Sequence, residues 1–250
     1  MSAPRLFVDA PLAPGGEIAL DKARSHYLTS VMRLGAGADV RLFNGSDGEW
    51  RAVIGGGRKA VTLEVGEQSR PQEAEPDIWL AFAPLKKDRM DFLVEKATEL
   101  GAAVLQPVLT RRTIVGRVNT DRLRAQAIEA AEQCERLTVP EVREPVDLHH
   151  LVATWPENRL AIILDETGSG GPAASELAAF EAMPAACISG PEGGYEKSEL
   201  DLMRTLPIYA AVSLGPRILR AETAVLVSLA IWQSVCGDGR RPPVAQLLRD

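Results

Sequence analysis

The stretch AACISGPEGGYEKSEL, residues 185–200, carries the pattern that decides the fold. A run of small and apolar residues ends at Ser189, and three glycines and a proline crowd into residues 190–194. EKSEL then reads as the opening of a helix. Strand, glycine-rich loop and helix in that order make half of a βαβ unit. One glycine would serve for a turn. Five positions reading GPEGG describe a backbone shaped around something.

The neighbouring segments repeat the theme. YAAVSL (209–214) runs into GPRILR (215–220), and LAIILD (160–165) runs into ETGSGG (166–171). AACISGP and AAVSLGP resemble each other 25 residues apart. Further upstream, IWLAFA (78–83) reads as a strand. Residues 88–100 read as a helix with Met90, Leu93, Val94, Ala97 and Leu100 on one face and Gly101 as its stop. VLQPVL (104–109) is another strand. Asn119-Thr120 can cap a helix reaching about Leu137, with Leu123, Ala127, Ala131 and Cys134 on one stripe. This alternation predicts an α/β domain with a mainly parallel sheet covered by helices. Ligands of such sheets sit outside the carboxyl ends of the strands, where the three glycine-bearing loops begin.

The loops also restrict the ligand. GSGGPA (168–173) fits the spacing of a dinucleotide fingerprint, but three residues separate it from Asp165, and Pro172 removes an amide. No acid follows at the end of the next strand. The G-x-x-x-x-G-K-[ST] spacing needed for nucleotide phosphates is missing. The loops therefore suit a neutral or zwitterionic ligand with an adenine better than ATP. Arg217 and Arg220 flank Ile218-Leu219, a pattern for recognising an anionic or planar group. Glu222 and Thr223 open the last helix. An acid there is favoured by the helix dipole alone, so Glu222 reads equally as structural or functional. AVLVSLAIWQSV (224–235) is apolar on nearly every side, which implies burial all round. Either a second subunit covers it, giving a homodimer, or it is the central helix of one large core.

The first part of the chain differs. RLFVD, ADVRLF, EWRAVI and AVTLEV are short strand-like runs, with NGSDG (44–48) and GGGRK (55–59) as hairpin connections. One helix, roughly Asp21 to Leu34, interrupts them. The expectation is a small β-barrel that binds rather than catalyses. QSRPQEAEP (68–76) is polar, carries two prolines and has no apolar period. The division expected is a barrel over 1–70, a linker over 71–76, an α/β domain over 77–240 and a tail over 241–250.

Of the 250 residues, 46% are hydrophobic and 25% charged, which leaves room for a sizeable core. The start, MSAPRLFVDA, has neither the basic flank nor the apolar core of a secretory signal. The greasy stretch 224–231 is far too short to span a membrane. Cys134, Cys187 and Cys236 are scattered and odd in number, which points to a reducing cytoplasm with no disulfide framework and no metal site. The net charge of −6 argues against a general polyanion binder. Residues 1–70 hold 9 Lys+Arg against 8 Asp+Glu, while 77–240 hold 17 against 23. Nucleic-acid contact would therefore fall to local clusters: Arg58-Lys59, Lys86-Lys87-Arg89 and Arg111-Arg112. Solvated surface charge is the simpler reading of such clusters. His149-His150, at a polar helix start, read as surface residues.

The chain resembles the bacterial small-subunit ribosomal RNA methyltransferases that modify N3 of a uridine, within the SPOUT superfamily. HYLTSVMRLGAGADVRLFNGSDGEW, KKDRMDFLVEKATELGA, QPVLTRRT, EQCER, ISGPEGGYEKSEL and VSLGPRILRAETAVLVSLA carry the resemblance across nearly the whole chain. It implies an N-terminal PUA-like barrel that engages RNA and a SPOUT domain ending in a trefoil knot. It also implies a homodimer, S-adenosylmethionine as cofactor, and 16S ribosomal RNA, within the small subunit, as partner. Cofactor contacts then fall on Leu164, on Gly190, Pro191, Glu192, Gly193 and Gly194, on Leu214, Gly215, Pro216, Arg217, Ile218 and Leu219, and on Thr223. RNA contacts are assigned to Arg33, Arg58, Lys59, Lys86, Lys87, Arg89 and Arg112. Arg136, Arg217 and Arg220 become candidates to stabilise charge on the uridine oxygens, and Glu192 or Glu222 to accept the N3 proton. No metal or membrane is implied. Two positions depart from the family pattern: Cys134 replaces a serine, and Arg111 replaces an acid, which excludes a catalytic carboxylate there. Two other readings stay open: a methyltransferase of this fold acting on another RNA, and a non-catalytic RNA-binding protein.

Overall fold

The computed structural model describes residues 3–57, 60–165, 167–168 and 170–242; Arg58 and Lys59 lie outside the described residues. The chain forms two units. One comprises residues 1–74 together with 131–139, the other 75–130 together with 140–250.

The first unit contains β1 (Arg5–Phe7), β2 (Glu17–Ala19), α1 (Lys22–His26), β3 (Asp39–Phe43), β4 (Glu49–Gly57) and β5 (Ala60–Arg70). They form one sheet in the order β1-β3-β4-β5-β2. β1 pairs parallel with β3 and the other pairings are antiparallel. Alternation selects the inner face: Val40 and Leu42 of β3, Ala52 and Ile54 of β4, and Leu63 and Val65 of β5 are buried together with Leu6 and Leu28. Register shifts at Glu49, Trp50 and Ala52 bend the sheet. Asn44 Oδ1 accepts the amides of Ser46 and Asp47 at 3.0 and 2.8 Å, which closes the NGSDG turn. The helix expected to reach Leu34 is shorter. After α1 one wider turn, Tyr27–Val31, follows, and Arg33 adopts φ 55°.

The second unit begins with β6 (Ile78–Phe82), α2 (Lys87–Glu99), β7 (Val104–Leu109) and α3 (Thr120–Gln133). It continues through β8 (Glu141–Val142), β9 (Val146–Asp147), α4 (Leu148–Ala153), β10 (Leu160–Leu164), β11 (Gly171–Pro172) and α5 (Ala173–Leu177). β12 (Ala185–Ser189), α6 (Lys197–Met203), β13 (Tyr209–Ser213) and α7 (Ala221–Val235) complete it. Its sheet runs β11-β13-β10-β12-β6-β7-β8, with β9 beside β7. All its pairings are parallel. Helices on a parallel sheet leave its central strands nearly continuous in apolar residues. Leu160 to Ile163 and Ala185 to Ser189 are buried throughout. Each fully buried Leu or Ile here stabilises the fold by about 1.5–3 kcal/mol. Met90, Leu93, Val94 and Ala97 of α2 are buried as the periodicity requires. His149 and His150 are exposed.

Two expectations about helices change. α7 is not buried all round within one chain: Val225, Ser228, Leu229 and Trp232 are buried, while Ala230 is exposed and Val227 and Ile231 are only half-buried. α3 ends at Gln133, not near Leu137, and its last three residues belong with the N-terminal sheet. The cause is Arg5, buried at 6% exposure. Its guanidinium donates to Glu49 Oε2 at 2.7 Å, to the Ala131 carbonyl at 2.8 Å and to the Arg136 carbonyl at 2.7 Å. A cation at a helix carboxyl end satisfies open carbonyls and complements the dipole. Glu135 then takes φ 63°, held by Arg41 on its carboxylate at 3.1 Å and Arg70 on its carbonyl at 3.0 Å.

Burial opposes the charge of Glu49, but the hydrogen bond and charge of Arg5 outweigh it and hold the carboxyl below its ordinary value of 4.5. A depressed carboxyl stabilises the folded state above its unfolded value and loses that contribution as pH falls through the folded one. Wild type is therefore expected to lose urea resistance below pH 4.5 more steeply than Glu49→Gln.

Cys187 is fully enclosed on β12, with Sγ 3.4 Å from Ser228 Oγ of α7, and burial pushes its thiol up to about 12. Native protein at pH 8 is expected to leave Cys187 unalkylated, as peptide mass mapping would show, whereas urea-unfolded protein reacts there.

Candidate functional site

β13, β10 and β12 lie side by side and parallel, so the loops leaving their carboxyl ends converge. They enclose a cavity of about 560 Å³. Of the residues expected at a cofactor, Leu164, Gly190, Pro191, Glu192, Gly194 and the run Leu214 to Leu219 line it. Gly193 and Thr223 are outside the described lining, as is Glu222. Asp165, Ser189, Tyr195 and Val212 join it without having been singled out from sequence. Tyr195 was within reach, as the residue directly after GPEGG.

Local chemistry explains the shape of the central loop. Gly194 has φ 69°, and its amide closes a turn on the Pro191 carbonyl at 2.9 Å. A Cβ on Gly190 would stand 2.8 Å from the Tyr195 ring, so that ring packs where a side chain would be. Helix α6 starts immediately afterwards with a reciprocal cap: Glu196 receives an amide of the first turn, and Glu199 receives the Glu196 amide at 2.8 Å.

Charged side chains brace this loop. Arg89, in the first turn of α2, lines the cavity and forms an ion pair with Glu192. Its Nε lies 3.7 Å from Glu222 Oε1. Arg112 donates to the Gly193 carbonyl at 2.9 Å. The backbone amide of Arg111 donates to Glu199 at 2.9 Å, and its side chain lies 3.4 Å from Glu196. Arg89 and Arg112, expected at RNA, are thus placed against the GPEGG loop. Lys86, Lys87 and Arg33 are exposed. Arg217 and Arg220 line the cavity and are exposed, and their side chains have no hydrogen-bond or ion-pair partner among the described residues. Arg136 belongs to the unit of the N-terminal sheet, where Nη2 donates to Thr138 at 3.0 Å. Asp165 is occupied structurally, accepting the Thr167 amide at 2.8 Å and facing Arg204 at 3.2 Å.

The cavity has the size of a small-molecule site. Its walls combine loop backbone with Leu164, Val212, Leu214 and Leu219, and among the described residues no lysine lines it. That fits an adenosyl group carrying a zwitterionic tail better than a polyphosphate. Among the described residues, no group of three or more His, Cys, Asp or Glu is placed to hold a metal ion, and no helix is long and apolar enough to cross a membrane.

A parallel α/β sheet with glycine-bearing loops walling a cavity at three adjacent strand ends defines a ligand-binding α/β protein. An RNA methyltransferase domain matches residues 72–233, and an RNA methyltransferase PUA domain matches residues 20–66. The chain belongs to this RNA methyltransferase family. It is 31% identical to ribosomal RNA small subunit methyltransferase E of Rickettsia conorii over 229 residues, covering 90% of this chain and 93% of that one. It is 33% identical to the protein of the same name from Synechocystis over 217 residues, covering 85% and 71%. The crystal structure of the Neisseria gonorrhoeae ribosomal RNA small subunit methyltransferase E, bound to S-adenosyl methionine, superposes with a TM-score of 0.85 at 28% identity, covering 95% of this chain and 100% of that one.

Proposed function

We propose that the protein transfers a methyl group from S-adenosylmethionine to N3 of a uridine in 16S ribosomal RNA. The observation that carries this is the cavity at the ends of β10, β12 and β13, walled by Gly190, Pro191, Glu192, Gly194 and the run Leu214 to Leu219. The relatives named above, which act on small-subunit ribosomal RNA by name, supply the substrate class.

The bound cofactor supplies an electrophilic methyl on a sulfonium and leaves as a neutral thioether. The protein's residues must remove the N3 proton and steady the negative charge that spreads onto O2 and O4. Arg217 and Arg220, whose side chains have no partner among the described residues, are the cations for those oxygens. Glu192 or Glu222 takes the proton, directly or through water. Of the two, Glu192 lines the cavity, while Glu222 is 8% exposed beside it in sequence to Ala221 and Ala224, which do. In-line placement of the methyl group against N3 provides much of the rate.

In this reading the barrel over 1–70 engages RNA, and the loops after β10, β12 and β13 form the trefoil knot of the SPOUT fold. The outward face of α7, with Val227, Ala230 and Ile231, meets a second copy in a homodimer. Three free cysteines suit the cytoplasm.

Labelled S-adenosylmethionine and small ribosomal subunits lacking the modification test the proposal. Label is expected on N3 of one uridine after nucleoside mass mapping. Absence of label there sinks the assignment, and label on a different RNA would move the substrate within the same chemistry.

A further inference from the structure

A glycine-rich loop has little side-chain packing of its own to hold it. Gly190, Gly193 and Gly194 supply none, so the position of GPEGG depends on what grips it from outside. Two arginines do so at consecutive residues. Arg89 pairs with the Glu192 side chain, and Arg112 takes the Gly193 carbonyl at 2.9 Å. They come from separate segments, the first turn of α2 and the turn after β7. That second turn is itself closed by the Thr113 amide on the Thr110 carbonyl at 3.1 Å and by the two threonine hydroxyls at 2.9 Å.

Arg89 also reaches a third element. Its Nε is 3.7 Å from Oε1 of Glu222 in the first turn of α7. Glu222 is only 8% exposed, and its Oε2 has no hydrogen-bond partner among the described residues. A half-exposed pair such as Arg89–Glu192 contributes little by itself. A buried carboxylate deprived of its cation is far more costly. The weight of the Arg89 arrangement therefore falls on Glu222. Without the guanidinium, the Glu192 carboxylate at the cavity and the buried Glu222 carboxylate behind it would be left without the cation they share.

We propose that Arg89 is a positioning residue that fixes the cofactor loop against α7, with Arg112 as the second arm of the clamp. Both serve cofactor affinity, not the phosphate contact that their place in basic clusters implies. This rests on the reading of the cavity as the S-adenosylmethionine site.

Calorimetry with S-adenosylmethionine, urea unfolding without it, and binding to unmodified small ribosomal subunits across a salt series test the clamp. Arg89→Met is expected to raise the cofactor Kd about tenfold or more, and Arg89→Lys to fall between it and wild type. Adding Glu222→Gln to Arg89→Met is expected to recover part of the loss, because the stranded charge is gone. Arg112→Met raises the Kd by a smaller factor, since its one bond is exposed. Subunit affinity and its salt slope stay at wild-type values in Arg89→Met. The clamp is overturned if the cofactor Kd of folded Arg89→Met is unchanged, whether or not its urea midpoint falls. It is equally overturned if the salt slope drops by about one, the signature of a lost phosphate contact. Should Arg89→Met fail to fold, Arg89→Lys and Arg112→Met carry the same comparison. If wild type itself binds no S-adenosylmethionine, the cavity assignment falls first, and the clamp with it.

Discussion

Gly194→Val is expected to abolish measurable S-adenosylmethionine binding while leaving the chain folded. Gly194 sits at φ 69°, a region that costs an L residue about 1–2 kcal/mol, and a β-branched one more. The residue also lines the cavity, so a valine side chain would occupy volume the ligand needs. Relaxing the strain would open the turn closed by the Gly194 amide on Pro191, which gives the loop its curvature. The two effects together predict a Kd at least about 100-fold higher by calorimetry, at roughly 1.4 kcal/mol per decade. Gly194→Ala should lose less, because it carries the backbone cost with little bulk. Unchanged affinity in the valine variant would remove GPEGG from the site.

The second large effect is expected at Arg217 and Arg220. Each lines the cavity with no side-chain partner among the described residues, so each is available to a developing negative charge. Removing one preorganised donor from such a charge lowers kcat by roughly 10²–10³. Exposed side chains without partners change stability by less than about 0.5 kcal/mol, so folding should be spared. Arg217→Ala and Arg220→Ala are therefore expected to depress single-turnover methyl transfer while urea midpoints stay put. Full activity in both variants would refute the electrostatic assignment, and a loss explained by unfolding would count against it too.

The parts legible in advance are those with a local signature. The runs 78–83, 160–165, 185–189 and 209–214 read as buried parallel strands because apolar length and glycine-bearing ends announce them. The period through Met90, Leu93, Val94 and Ala97 identified α2. Matched Gly-Pro loops pointed to one ligand, and two of them line one cavity. What escaped depends on partners distant in the chain. Leu137 continues the apolar stripe of α3 and is buried, yet the helix has already ended. Nothing near residue 134 reveals that Arg5, Arg41 and Arg70 turn the chain there. The two-residue strands β8, β9 and β11 are too short for any period to show. Arg89 sits in a basic triplet and reads as a surface charge, because its carboxylates lie more than a hundred residues downstream. α7 misled through composition: its residues are apolar on all sides, but its environment within one chain is not.

The involvement of residues 131–139 with the N-terminal sheet bears on how the protein is made. A ribosome releases the chain from the amino end, yet the unit built on the N-terminal sheet lacks its last segment until residue 139 has emerged. At about 5–20 residues per second, that delay is roughly 3–13 s after residue 74. Throughout it the buried Arg5–Glu49 pair waits for the carbonyls of Ala131 and Arg136. Ribosome-bound chains arrested shortly before and shortly after that point should differ sharply in protease resistance of their first 70 residues.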